Sequence, residues 1–407
     1  MSTFRCFRKS FSTLLLLLLA SSTALYATEV FQPRGLTASS EPKPSSLFPV
    51  NVTITYEGVV EKIMFADHLE NLEDGNWIVL SGGYTVALPP TTLVYKGVSS
   101  ATYVRDGRTV EIESVFDSRE LKYPMTSHQV YYPGDIVEAT FYGPAELAGE
   151  KVDIRLVKTS PLEARDVLRE AFEGDISNLR SLIGKPVFSL KTELDSKGDS
   201  PKVSFKLDEP GDYVLLVLSE EEGGGIYELK VFSATVVEVL DYRVDVTAPS
   251  SVRRGRPVDV RVRLIDAPKS EKGYRYGALI IYEPTYRATV RLETNGTVPG
   301  TTLTANGALL LNGTAERTFL IAGVGLTAID KNLIAERIVT AFGANRVSIG
   351  FSDVTGETEA SLSLMTDEFM PTGRYILLVG VWELQTGRRV VALYQGCLLY
   401  TSDAADE

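Results

Sequence analysis

The sequence predicts a mainly β chain built of tandem two-sheet sandwiches, two of which carry a short helical insert. Three observations predict it. Between residues 50 and 396, apolar and polar side chains alternate in short runs, the period of strands with one buried face. Turn residues such as Ser81-Gly82-Gly83, Asp106-Gly107 and Pro133-Gly134-Asp135 separate the runs. The alternation gives way to helical spacing at only two places, 160–184 and 327–342.

Length and composition set the frame. A chain of 407 residues corresponds to roughly two to four domains of ordinary size. With 44% apolar and 23% charged residues and a mean hydropathy of +0.03, it is neither disordered nor a multi-span membrane protein. The formal net charge of −12 argues against a nucleic-acid partner, which calls for a basic surface. Two Cys and two His leave too few ligands for a Cys/His zinc site or a disulfide framework.

The elements follow in order. Residues 1–27 read as a cleaved signal peptide: Arg5, Arg8 and Lys9 precede Leu14 to Leu19, and Ala27 stands at the cleavage position. Ser21, Ser22 and Thr23 stop the apolar run short of a membrane span. Cys6 lies before that run, where no lipid attachment signal would place it. Residues 28–47 are rich in Ser and Pro and read as a flexible linker.

A small all-β domain is expected at 48–122. Val52, Ile54 and Tyr56 alternate with Thr53 and Thr55, and Val110 and Ile112 alternate with Glu111 and Glu113. Asp106-Gly107 is a type I′ hairpin signal, because both central positions of that turn need φ > 0. A β-sandwich follows at 125–237, with Val137, Ala139 and Phe141 and then Val152, Ile154 and Leu156 on alternate positions. Its helical insert at 160–184 opens with the capping box Ser160-Pro161-Leu162-Glu163. Leu168, Phe172, Ile176, Leu179 and Ile183 repeat at helical spacing, and Gly174 divides the run into two helices. A second copy is expected at 238–396, with strands at Val258 to Leu264 and a helix at 327–342.

Internal repetition supports the second copy. Gly184-Lys-Pro-Val187-Phe-Ser-Leu lines up with Gly343-Ala-Asn-Arg-Val347-Ser-Ile, and Gly211-Asp-Tyr213-Val-Leu-Leu-Val217 with Gly373-Arg-Tyr375-Ile-Leu-Leu-Val379. The join, Val236 to Val246, holds no Gly, Pro or Ser. It reads as strand running into strand, hence a stiff rod and not a tether.

Chemistry is sparse. There is no Gly-x-Ser-x-Gly elbow, and His68 and His128 give a triad few ways to form, so no catalytic residue is nominated. Asp67, Glu70, Glu73 and Asp74 crowd one segment and offer oxygen ligands that calcium favours, without EF-hand spacing. A solvated acidic loop is the simpler reading of the same residues, and no other cofactor is implied. Arg253, Arg254 and Arg256 form a small basic patch, by default a solvated turn, that an acidic neighbour or polymer could meet. Asn51, Asn295 and Asn312 each open an Asn-x-Thr sequon, a candidate N-glycan acceptor in an exported chain.

Three resemblances complete the reading. The Gly-x-Tyr openings at Tyr213 and Tyr375 resemble the tyrosine corner of immunoglobulin-type sandwiches, in which the hydroxyl ties back to the backbone. This makes the expected fold tandem immunoglobulin-like β-sandwiches. The tail Cys397-Leu-Leu-Tyr-Thr-Ser-Asp-Ala-Ala-Asp-Glu407 resembles a translated transposase-type sequencing adapter, codon by codon. The native chain is therefore expected to continue past Gly396, and its mature part to lack cysteine. Finally, Tyr-Tyr-Pro-Gly-Asp135 and Glu-Pro-Gly-Asp-Tyr213, each opening a strand, are similar to repeat units of archaeal cell-surface and S-layer-type proteins. That resemblance covers about residues 125–396. It implies a non-catalytic, extracellular, glycosylated spacer whose partners are neighbouring surface subunits, extracellular matrix or polysaccharide, with membrane attachment only through a C-terminal anchor outside the sequence. The alternatives are an accessory or carbohydrate-binding region of a secreted enzyme, or an extracellular solute-binding protein.

Overall fold

The computed structural model describes residues 47–66, 76–87, 91–123, 127–159, 161–294, 299–305, 308–313, 320–321, 324–325, 338–340, 342–383 and 389–402. It is mainly β, with 58% in strands and 9% helical, so strand pairing rather than helix packing decides the architecture. The leader expected at 1–27 and the linker, up to residue 46, lie outside the described residues.

The first region supplies β1 (Val50–Tyr56), β2 (Val59–Phe65), β3 (Trp77–Ser81), β4 (Tyr84–Ala87), β5 (Thr91–Arg105) and β6 (Arg108–Tyr123). β1 lies between β2 and β6, antiparallel to both, and its alternate residues Val50, Val52 and Ile54 are buried. The turn from β5 to β6 is Asp106-Gly107, with φ of 49° and 77°, as a type I′ hairpin requires.

The middle region contains β7 (Ser127–Tyr131), β8 (Ile136–Tyr142), β9 (Lys151–Lys158), helices α1 (Pro161–Phe172) and α2 (Ser177–Ile183), β10 (Phe188–Glu193), β11 (Val203–Lys206), β12 (Gly211–Gly223) and β13 (Ile226–Val239). One sheet runs β11-β8-β3; the facing strands run β10-β9-β12-β13, with β7 beside β13. Side chains from both sheets fill one core, among them Ile78, Leu80, Phe141, Ile154, Phe205, Leu215 and Val237.

β3 therefore belongs to the middle core, and β4 pairs with β7. The break expected between 122 and 125 is not a break in packing: the segment 48–122 gives two strands to its neighbour. Alternation at Trp77–Ser81 shows that one face is buried, but not whose core it faces. β13 also serves two partners. Ile226 to Val231 runs parallel to β2, and Glu238-Val239 runs parallel to β7.

The last region contains β14 (Val244–Thr247), β15 (Ser251–Arg253), β16 (Val258–Leu264) and β17 (Tyr274–Tyr282), then an insert, then β23 to β26. The insert holds β18 (Ala288–Thr294), β19 (Pro299–Ala305), β20 (Ala308–Gly313), β21 (Leu320–Ile321) and β22 (Val324–Gly325). β18 pairs parallel to β5, so the insert carries strands as well as the helix the sequence predicts. Of that helix, residues 338–340 and 342 are described, and they are helical. After it come β23 (Val347–Phe351), β24 (Glu359–Leu364), β25 (Gly373–Glu383) and β26 (Arg389–Thr401).

The last body has sheets β14-β16-β24 and β15-β26-β25-β17-β23. They enclose a second core of Val258, Val260, Tyr274, Tyr276, Ile280, Leu364, Leu377 and Val379. Its plan repeats the middle body's, in which β3-β8-β11 faces β7-β13-β12-β9-β10. In each, one edge pair is parallel, β7 with β13 and β15 with β26. The other pairs are antiparallel. Each insert leaves between the same two strands, after β9 and after β17.

Residues 397–401 complete β26, with Leu398 and Tyr400 buried and Cys397 and Leu399 exposed. The Tyr400 hydroxyl accepts from Gly255 N at 2.6 Å and donates to Asp367 O at 2.8 Å, and Leu399 to Thr401 pair with β15. Among the described residues, no helix is long and apolar enough to cross a membrane.

Candidate functional site

The most elaborate contact between elements far apart in sequence is the join of the middle and last bodies. β13 ends at Val239 and β14 begins at Val244, so four residues connect them. Leu240, Tyr242 and Arg243 are tied down or packed. The N–H of Leu240 donates to Tyr131 O at 2.8 Å, and that of Tyr242 to Val391 O at 3.0 Å. The Arg243 guanidinium meets Asp135 at 2.7 Å and lies 4.4 Å from the centre of the Tyr132 ring. Val86, Val130, Tyr132 and Leu240 are buried together, with Tyr84, Val390 and Leu393 packed against them.

Gln395 locks this seam. Its Nε2 donates to Ala87 O at 2.9 Å, and Ala87 N donates to its Oε1 at 2.6 Å. The primary amide thus pairs both backbone groups of Ala87, as a neighbouring strand would. The Tyr84 hydroxyl donates to Gln395 O and accepts from Gln395 N, both at 2.9 Å. Burial pushes the Tyr132 hydroxyl up to about 12, against the pull of Arg243. Beside the seam, His128 Nε2 and Glu238 Oε2 stand 3.4 Å apart, each side chain 5% exposed.

A second constellation holds the middle insert. Arg155 meets Asp153 at 2.8 Å and Glu220 at 2.5 Å, and its Nη1 donates to Ile183 O at the end of α2. Ser189 donates to Asp153, and Tyr227 to Glu220. Arg180 of α2 lies 4.2 Å over the Tyr227 ring and pairs with Glu222 at 3.0 Å. Arg105 pairs with Glu173, and Arg108 donates to Gly174 O. These groups already satisfy one another, and this is the chemistry of a clamp. None of its carboxylates is left free as a general base.

The sequence-nominated residues are scattered. Tyr213 donates to Glu209 O and Tyr375 to Pro371 O, each at 2.8 Å and four residues upstream. Asn51 sits in β1, between β2 and β6. The Nδ2 that a glycan would occupy donates to Phe48 O at 3.2 Å, and Oδ1 is buried without a protein partner. Asn312 occupies a register position in β20 opposite Thr302 and Leu320. Asn295, His68 and the acidic residues Asp67, Glu70, Glu73 and Asp74 lie outside the described residues. Among the described residues, no group of three His, Cys, Asp or Glu is placed to hold a metal ion. Arg253, the last residue of β15, and Arg254 and Arg256 in the turn that follows are exposed.

The sequence reading missed Gln395 and Tyr84. One signal pointed to the first: glutamine occurs only at Gln32, Gln129, Gln385 and Gln395. A scan against protein-family models finds no match, and a search of curated proteins finds no relative.

Proposed function

We propose that the chain is a non-catalytic structural or adhesive protein of the cell surface, in which immunoglobulin-like sandwiches stack into a stiff, acidic spacer. The observation that carries this reading is the short, hydrogen-bonded join between the middle and last bodies. A linker built for independent motion is polar and solvated. This one is four residues long and packed, with a side-chain amide standing in for a strand. The strand order supports the sandwich assignment. Each body has a three-stranded sheet facing a five-stranded one, with a parallel edge strand, and each ties a tyrosine hydroxyl back to the corner before a central strand. The units are those expected at 125–237 and 238–396, the first taking in two strands from 48–122 and the second residues 397–401, on which the parallel pairing of β15 rests. The export leader and the sequons Asn295 and Asn312 fit an extracellular setting, with neighbouring subunits or matrix as partners.

Spin labels test the stiffness. Cysteines are introduced by Lys191→Cys and Arg261→Cys, one in each body, with Cys6 and Cys397 changed to Ser. A single narrow distance distribution is expected by electron resonance. Adding Gln395→Ala and Tyr84→Phe should broaden it. A broad distribution in the otherwise native chain overturns the spacer reading.

A further inference from the structure

The outer face of the last body is covered unevenly. Near Ile281, Leu378 and Ile376, the helix carrying Ile338, Val339 and Phe342 packs over the sheet. Further up the same face, the register places Gly277 of β17 opposite both Gly380 of β25 and Phe351 of β23, and Arg275 opposite Trp382. Phe351 and Trp382 lie with ring centres 6.2 Å apart. A Cβ on Gly277 would come within 2.8 Å of the Trp382 ring and 2.9 Å of the Phe351 ring; one on Gly380 would come within 2.9 Å of Trp382. The two glycines are what let both rings settle onto the backbone. Both rings stay half-buried.

Arg275 stands at the edge of this pair. Its Nε is sealed from water without a hydrogen-bond partner, and it has no ion pair among the described residues. Arg253, Arg254, Arg256, Arg287 and Arg346 also lack an ion pair among the described residues, but they are exposed, whereas Arg275 is half-buried. Arg155, Arg180, Arg243 and Arg263 each meet a carboxylate within 4 Å. A partly desolvated, unpaired guanidinium is costly, and it is suited to a bidentate acid from outside.

We propose that Phe351, Trp382 and Arg275 form a binding platform for an acidic, uronate-bearing polysaccharide. The apolar C–H face of a pyranose ring stacks on Trp382, with Phe351, tilted 53° to it, closing one side, while Arg275 takes the carboxylate. Two features select this occupant. The unpaired cation complements an anionic polymer and not an apolar protein surface. The platform is also continuous with the join, because Val390 and Leu393 are the cross-strand neighbours of Trp382 and Gly380. A long polymer would therefore run along a rigid seam. The proposal rests on the extracellular spacer reading and names its partner class.

Fluorescence tests it, because Trp77 is buried and Trp382 is the other tryptophan. Titration with oligogalacturonate should give a saturable change that weakens with added salt, and dextran should give none. Trp382→Ala, followed by calorimetry, should lose at least about tenfold in affinity. Arg275→Gln should lose a similar factor and the preference for the acidic sugar. If Trp382→Ala fails to fold, Arg275→Gln and Phe351→Ala decide. No saturable response to oligogalacturonate, equal binding of dextran, or an unaltered affinity in Arg275→Gln overturns the platform. The spin-label distance separates the two readings: a narrow distance without uronate binding removes the platform and leaves the spacer.

Discussion

In the middle body the outer face of β9 and β12 carries charge, with Asp153, Arg155 and Glu220 neutralising one another beneath α2. On the last body the matching face is apolar and aromatic, with Leu279, Ile281 and Leu378 under a helix and Trp382 and Phe351 above them. The interiors stay apolar at the matching positions, although sizes differ, as where Ile154 of the middle core corresponds to Ala278 of the last. Leu215 and Leu377 each sit two residues after a corner tyrosine, at 0% and 2% exposure. An interior position faces a second sheet at fixed spacing, so only certain shapes fit it. An outer position answers only to whatever insert covers it. The two bodies show that the plan is held by the core, while individuality resides on the outer faces.

The comparison can be sharpened or broken by substitution. The largest effect is expected in the cores. Leu215→Ala and Leu377→Ala should each cost about 3 kcal/mol in chemical denaturation. A negligible loss at one of them would break the equivalence. Next come the outer faces, where equivalent positions should respond unequally. Arg155→Met leaves Asp153 and Glu220 without their cation, with only the hydroxyls of Ser189 and Tyr227 as partners, and should cost about 2 kcal/mol. Leu279→Met, its counterpart in the last body, exchanges one apolar group for another and should cost about 1 kcal/mol or less. Equal losses would show that the charged cluster is not a clamp. The smallest effect is expected at the corners. Tyr213→Phe and Tyr375→Phe should each lower stability by about 1 kcal/mol through a lost hydroxyl bond. An unchanged denaturation midpoint in either would show that its bond contributes nothing.

Much of the fold was legible because strand alternation and helical spacing are local. Val258, Val260, Val262 and Leu264 announce a half-buried strand, and they are buried in β16. Gly174 was read as dividing two helices, and α1 and α2 end and begin around it. What alternation does not carry is the identity of a strand's partner. Trp77–Ser81 looked like part of its own neighbourhood, yet its hydrogen bonds go to β8. The candidate sites were less legible for the same reason. Gln395 and Ala87 are 308 positions apart in sequence, and the pairing of Gly277 with Gly380 exists only through register. The tyrosines could be singled out because their hydroxyl partners lie four residues away, within one turn of chain.

The placement of β3 has a consequence for how the chain reaches its native state. During synthesis from the N-terminus, Trp77–Ser81 emerges well before β8, the strand it must join, and β12 and β13 follow later still. Long-range pairings of this kind pay loop-closure entropy before they gain contacts. Residues 48–240 should therefore fold as one cooperative event and not as two successive ones. The last body draws all the strands of its two sheets from 244–401 and can close separately. Calorimetry is expected to resolve two transitions in this chain, although its sequence divides into three.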